Sequence, residues 1–217
     1  MRNVVAIEVP SEKREAGRTR HFIERCSGTL LQNVDNKRPD LILTAWHCVE
    51  NYSDLSKHIQ IRFPHAVAPL QTLFARIYRS GDSITSDWAL LRLVSPVPDA
   101  GLLGLSLSLR KENQPAYALG FAGELRQGRS FLSFDADCNW SQNNLWQSCQ
   151  SSKGSSGGPL VQVHSDEAYV VGVISQGDSE EITLDWSTSE LPLTLRSEIN
   201  FRPETQSPRG SEYLEPM

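Results

Sequence analysis

No stretch of this 217-residue chain stays apolar for the roughly 18 residues that a membrane-crossing helix needs, so nothing in it reads as membrane-inserted. Neither sign of charge dominates: 21 Lys and Arg against 26 Asp and Glu leave a formal charge of −5, with the basic residues scattered. Lacking a basic face, the chain has no footprint for nucleic acid or for an anionic membrane surface. Cysteine stops at four, Cys26, Cys48, Cys138 and Cys149, and no two of them form the Cys-x-x-Cys pair that marks many zinc sites. An even number, one pair in each half, fits two bridges in an oxidising compartment, although sequence alone leaves three pairings open. The first residues do not read as an export signal either. Met1–Val9 meets Glu8 and Pro10 too soon to form the apolar region of one, and it reads as a first strand.

What the chain has is an ordinary globular composition, 39% apolar and 22% charged, enough to build a buried core. Its apolar residues recur with period two in short runs, and helical periodicity is nearly absent. The runs predict strands at Val4–Val9, Glu24–Leu31, Leu41–Ala45, His58–Phe63, Thr72–Tyr78 and Trp88–Leu93. Further runs predict Pro115–Phe121, Ser130–Phe134, Gly158–His164, Tyr169–Ser175 and Leu191–Leu195. Turn formers such as Asp35-Asn36 and Gly81-Asp82 separate them, so the fold class is all-β, a sandwich or barrel. Ser95-Pro96-Val97-Pro98-Asp99-Ala100-Gly101 cannot continue a central strand and divides the chain into two β domains, 1–98 and 99–201. The remainder, 202–217, is rich in Pro, Ser and Glu and reads as a mobile tail.

Three segments carry chemistry. In Gly154-Ser155-Ser156-Gly157-Gly158-Pro159 a serine sits between glycines, which let the backbone turn its amides toward one point. A hydroxyl beside converging N–H groups supplies a nucleophile and a pocket for an oxyanion. Taken alone, such a Gly/Ser run is as readily a flexible turn. Thr44-Ala45-Trp46-His47-Cys48 sets a histidine just past an apolar strand, held by rigid scaffold yet able to face a cleft. Imidazole, with an unperturbed pKa of about 6.5, is the usual base for a serine. The remaining histidines, His21, His58, His65 and His164, read as ordinary surface or core residues. Ser86-Asp87-Trp88-Ala89-Leu90-Leu91 places a carboxylate before an apolar strand, where burial behind an imidazole would fix its tautomer.

These three segments, in the order His47, Asp87, Ser156, resemble the signature segments of the chymotrypsin-like (trypsin-like) serine peptidases, and the likeness extends from the first strand to Phe201. In compact length and in the stretch from Cys149 to Ser156 the chain is similar to the bacterial branch that includes the glutamyl endopeptidases. The resemblance implies two antiparallel β-barrels with the active site between them. It implies Ser156 as nucleophile, His47 as base and then acid, Asp87 as the orienting acid, and the N–H groups of Gly154 and Ser156 as oxyanion hole. It also implies bridges Cys26–Cys48 and Cys138–Cys149, and a strand edge at Ser175, Gln176 and Gly177 along which substrate backbone adds, with the Ser175 hydroxyl reaching Asp87.

Two departures limit the likeness. The residue before the nucleophile is Ser155 rather than the aspartate that pairs with a new N-terminus in zymogen-derived relatives, so the site is expected to form without that ion pair. At the expected pocket base stands Gln150, which does not support selection of Arg or Lys. Ile174 replaces the histidine of glutamyl endopeptidases, and Glu190 is a loose candidate for the opposite wall. The expected activity is serine endopeptidase chemistry through an acyl-enzyme, with no metal or organic cofactor. The alternative is a catalytically silent binding protein on the same fold. Polypeptide substrates and protein inhibitors are the implied partners of what reads as a secreted or periplasmic monomer.

Overall fold

The computed structural model describes residues 2–34, 38–65, 72–98, 102, 104–112, 114–126, 129–140, 146–147, 149–176 and 184–202. Six strands come first: β1 (Val4–Glu15), β2 (Arg18–Leu31), β3 (Leu41–Thr44), β4 (Ile59–Arg62), β5 (Leu73–Ser80) and β6 (Ala89–Leu93). They pair in the order β1-β2-β3-β6-β5-β4, and β4 returns to β1 to close an antiparallel barrel. Period two is the cause. Val5, Ile7 and Val9 are buried while Ala6, Glu8 and Pro10 between them are partly exposed, so one face fills the barrel.

The first hairpin is longer than the sequence suggests. β1 was expected to stop at Val9 and β2 to begin at Glu24. Instead the pair runs on to a turn at Ala16 and Gly17, both with positive φ (48° and 76°), as a tight two-residue hairpin turn requires. Pro10 is tolerated because β4 pairs with β1 only from Ala6 to Glu8. Glu12, of the same parity as Pro10, sends its N–H out of the hairpin to the Asn51 carbonyl at 2.8 Å. The N–H that proline lacks would therefore have pointed where no strand remains.

The second sheet contains β7 (Ser106–Ser108), β8 (Ala116–Arg126), β9 (Arg129–Trp140), β10 (Trp146–Gln147), β11 (Pro159–His164), β12 (Glu167–Gln176), β13 (Leu184–Ser187) and β14 (Phe201–Arg202). Its order is β10-β9-β8-β11-β12-β7-β14, with β13 also on β12, and β7 lies parallel to both β12 and β14. The expected strand at Leu191–Leu195 is absent. A 3₁₀ turn, Thr188–Glu190, and one helical turn, α1 (Leu193–Arg196), take its place. Leu191 and Leu195 are four apart, so a single turn buries both, and two apolar residues are too few to reveal a helical period.

One apolar cluster joins the two sheets: Leu107, Val170, Val173 and Trp186 pack in it with Leu30, Ile42 and Leu91 of the first barrel. The disulfides Cys26–Cys48 and Cys138–Cys149 are both formed. No described helix is long and apolar enough to cross a membrane. Residues 203–217 of the expected tail lie outside the described residues.

Candidate active site

Antiparallel register brings His47 and Asp87 together. Thr44, the last residue of β3, pairs with Ala89, the first of β6, so both chains leave the sheet at the same end. From there the chain forms a 3₁₀ turn, Trp46–Cys48, that carries His47, while Asp87 precedes β6 by two residues. The approach to Asp87 is tightly turned. Gly81 donates its N–H to the Trp88 carbonyl at 2.9 Å, and a Cβ at Gly81 would lie 1.9 Å from the Ser86 carbonyl oxygen.

One histidine occupies both oxygens of the carboxylate. The His47 backbone N–H donates to Asp87 Oδ1 at 2.8 Å, and His47 Nδ1 meets Oδ2 at 2.8 Å. With the carboxylate ionised, Nδ1 carries the hydrogen and Nε2 keeps a lone pair for other work. Ser175 supplies a third bond, its hydroxyl donating to Oδ2. It can do so because it is the extra residue of a bulge: Ile174 pairs with Asp185 and Gln176 with Leu184, leaving Ser175 unpaired and turned toward Asp87. Asp87 is 1% exposed, and that burial by itself pushes its pKa up. The bonds from the His47 ring and the Ser175 hydroxyl, with the His47 charge and N–H, outweigh burial and hold the carboxyl below its ordinary value.

Ser156 reaches this corner through its backbone. Its carbonyl accepts the Ser27 N–H at 2.8 Å, tying the loop before β11 to β2. Gly157 donates to the Ile174 carbonyl and Ile174 donates to Gly158, so the same loop is also laced to β12, one residue before Ser175. The disulfide closes the arrangement: Cys48 Sγ lies 3.9 Å from His47 Nε2 and 3.7 Å from the Ser156 carbonyl oxygen. Gly154 and Gly157 have φ of +99° and +81°, the left-handed region that glycine enters without strain. Ligand atoms of Cys26, His47 and Cys48 crowd together, yet both sulfurs are spent in a disulfide and offer no thiolate to a metal.

Residues 26–173 match the trypsin-like peptidase domain. The chain belongs to the trypsin-like peptidase family. It is a serine peptidase, a hydrolase of polypeptides. It is 24% identical over 194 residues to a trypsin-like protease of Streptomyces glaucescens, an alignment covering 73% of this chain and 67% of that one. Among solved structures it is similar to the protease Anisep of Arthrobacter nicotinovorans, at TM-score 0.60 and 17% identity over 86% of this chain and 89% of that one. A thermostable serine protease, AL20, from an extremophilic microorganism gives TM-score 0.59 and 12% identity over 86% and 90%. These likenesses show the chymotrypsin-like fold.

The remaining expected residues of this peptidase are placed as follows. Ser155 is 1% exposed and makes neutral contacts, with Ser133 Oγ at 3.2 Å and the Ser152 N–H at 3.3 Å. Gln150, expected at the pocket base, is exposed and donates its N–H to Asp135 Oδ2 at 2.7 Å. Gln176 is exposed at the end of β12, and Gly177 lies outside the described residues. Ile174 is buried, and its cross-strand partner Asp185 pairs with Arg110, whose guanidinium stacks 3.7 Å over the Trp140 ring. Glu190 sits beside this pair; burial of its carboxyl and the nearby Asp185 charge push its pKa up. Sequence reasoning missed Arg110, Asp185 and Ser27. Ser27 alone left a trace, as a small polar residue between Cys26 and Gly28 in the segment expected as a strand.

Proposed function

We propose that the protein is a serine endopeptidase that cleaves polypeptides through an acyl-enzyme, with Ser156 as nucleophile, His47 as base and acid, and Asp87 as the orienting carboxylate. The observation that carries this reading is the double contact of His47 with Asp87, at a corner where Cys48 Sγ also touches Ser156. Asp87, kept ionised, holds the hydrogen on Nδ1, so Nε2 accepts the Ser156 proton as Oγ attacks the substrate carbonyl. The carbonyl oxygen becomes an oxyanion facing the N–H groups of Gly154 and Ser156. Nε2 then returns the proton to the leaving amine as the C–N bond breaks, and water, activated by the same nitrogen, releases the acyl group. Substrate backbone adds along the end of β12 at Ser175 and Gln176. Two disulfides support an oxidising location, secreted or periplasmic. The binding-protein alternative is disfavoured because no member of the triad is replaced.

A fluorophosphonate probe tests the proposal directly. Wild type is expected to label and Ser156→Ala is not. Replacing Ser156 or His47 should cost about 10⁶ in turnover, and both together hardly more, because they act as a unit. Folded wild type that takes no label overturns the reading.

A further inference from the structure

We infer that Ser27, a residue of the first barrel, is a positioning residue for the oxyanion hole: it clamps the peptide planes on both sides of the one that joins Ser155 to Ser156. Resting on the roles proposed above for Ser156 and Gly154, this adds a part that no motif of the chain announces.

Ser27 is fully buried and all four of its polar capacities are used. Its hydroxyl donates to the Gly154 carbonyl at 2.8 Å and accepts the Phe121 N–H at 2.7 Å. Its N–H donates to the Ser156 carbonyl at 2.8 Å. Its own carbonyl accepts the Thr44 hydroxyl at 2.8 Å, three residues before His47. One side chain and its backbone thus join β2, β8, the nucleophile loop and the end of β3.

The consequence lies in which planes are fixed. The peptide between Gly154 and Ser155 is gripped at both ends, its C=O by the Ser27 hydroxyl and its N–H by the Ser152 carbonyl at 2.8 Å. The peptide between Ser156 and Gly157 is gripped likewise, its C=O by the Ser27 N–H and its N–H by the Ile174 carbonyl at 2.8 Å. In the plane between them the Ser155 carbonyl accepts the Gly158 N–H at 2.8 Å, which fixes the Ser156 N–H on the opposite side of that trans peptide. Among the described residues neither the Gly154 N–H nor the Ser156 N–H is bonded to a protein acceptor. Gly154 is the weak point: a glycine at φ +99° can rotate its amide away at little cost. The Ser27 hydroxyl holds the plane on the far side of the Gly154 Cα, so only the φ and ψ of that one residue remain to turn the amide. Preorganised donors count because they need no reorganisation as charge develops.

The test compares Ser27→Ala with wild type by two readouts. Losing an oxyanion donor costs about 10²–10³ in turnover, and a residue acting through that donor is bounded by this. We expect kcat to fall about 10- to 100-fold with KM within about threefold. A peptidyl trifluoromethyl ketone, whose adduct carries the oxyanion, should lose affinity by the same factor, while the matching peptide alcohol, which forms no adduct, should bind as before. Ser27→Thr, which keeps the hydroxyl, should recover most of kcat. If Ser27→Ala does not accumulate folded, Ser27→Gly, which leaves room for a bridging water, is read in the same way with a loss of kcat again expected. Unchanged kcat and ketone affinity overturn the inference, as does equal loss of ketone and alcohol, which marks general collapse of the site. Should wild type itself fail to label with fluorophosphonate, the catalytic reading fails instead, so the two failures are distinguishable.

Discussion

The Ser175 hydroxyl donates to Oδ2 of Asp87, the same oxygen that His47 Nδ1 meets at 2.8 Å. A residue of the second sheet therefore sits on a pair built by the first barrel. Ser175→Ala removes a bond to the charged form of Asp87, so the Asp87 pKa should rise. A hydrogen bond to a charged group contributes about 1.5–3 kcal/mol, and with half of that acting in the transition state turnover should fall about 4- to 12-fold. Steady-state kinetics on a peptide substrate checks this, and unchanged turnover would show that Ser175 adds nothing to Asp87.

The depressed Asp87 pKa also sets a pH window for stability. A carboxyl more acidic in the folded than in the unfolded chain stabilises the fold fully above its unfolded value, about 4, and loses that contribution as pH falls through the folded value. Urea midpoints of wild type and Asp87→Asn should therefore differ by a constant amount from neutral pH down to about 4 and converge only below it. Activity behaves otherwise. It should fall as pH drops through the ordinary imidazole range, because a protonated His47 can no longer accept a proton from Ser156. A flat rate profile from about pH 5 to 8 would count against His47 as base.

Gly157 permits no side chain. A Cβ there would stand 2.1 Å from Thr44 Oγ1 and 2.4 Å from the Ser27 carbonyl oxygen, at a φ of +81°. Strain and overpacking together should make Gly157→Ala less stable by about 2–4 kcal/mol. The displaced loop should cost about 10² in kcat/KM. Urea unfolding and kinetics read the two effects separately, and a fully stable, active alanine variant contradicts the packing described here.

Ser155→Asp would insert a carboxylate into a site whose hydrogen-bond partners, Ser133 and Ser152, are neutral. Gly120 presses against the same side chain, since a Cβ on it would fall 2.9 Å from Ser155 Oγ. Burying an unpaired charge costs several kcal/mol, so the variant should melt well below wild type. Acetylating the N-terminal amine of wild type should leave activity unchanged. Activity lost on acetylation would show that an N-terminal charge assembles the site after all.

Much of the fold was legible because short apolar runs such as Leu41–Ala45 and Trp88–Leu93, bounded by turn formers, have few ways to bury their side chains. Legibility failed where the signal depended on neighbours. Pro10 reads as the end of a strand until β4 is seen to stop at Glu8. Leu191 and Leu195 read as a strand because one helical turn is too short to display its period. For the site, His47, Asp87 and Ser156 could be named from their own segments, each a reactive side chain at the end of an apolar run or in a glycine-rich turn. Arg110 and Asp185 could not, because their pairing spans two distant segments and neither residue lies in a recognisable pattern.

By itself the sequence determined which groups are present and the local backbone that carries them: strands from alternation, sharp turns from glycine, a base and a hydroxyl at loop positions. Those are short-range consequences of side-chain size, polarity and allowed torsions. The tertiary structure alone decided which groups meet. The β3–β6 register put His47 beside Asp87, a bulge in β12 turned Ser175 onto the same carboxylate, and Ser27 joined the nucleophile loop to the first barrel. Such contacts arise only in the packed structure, because hydrogen bonds between residues 40, 88 and 127 apart form once burial of the core has fixed both partners in place.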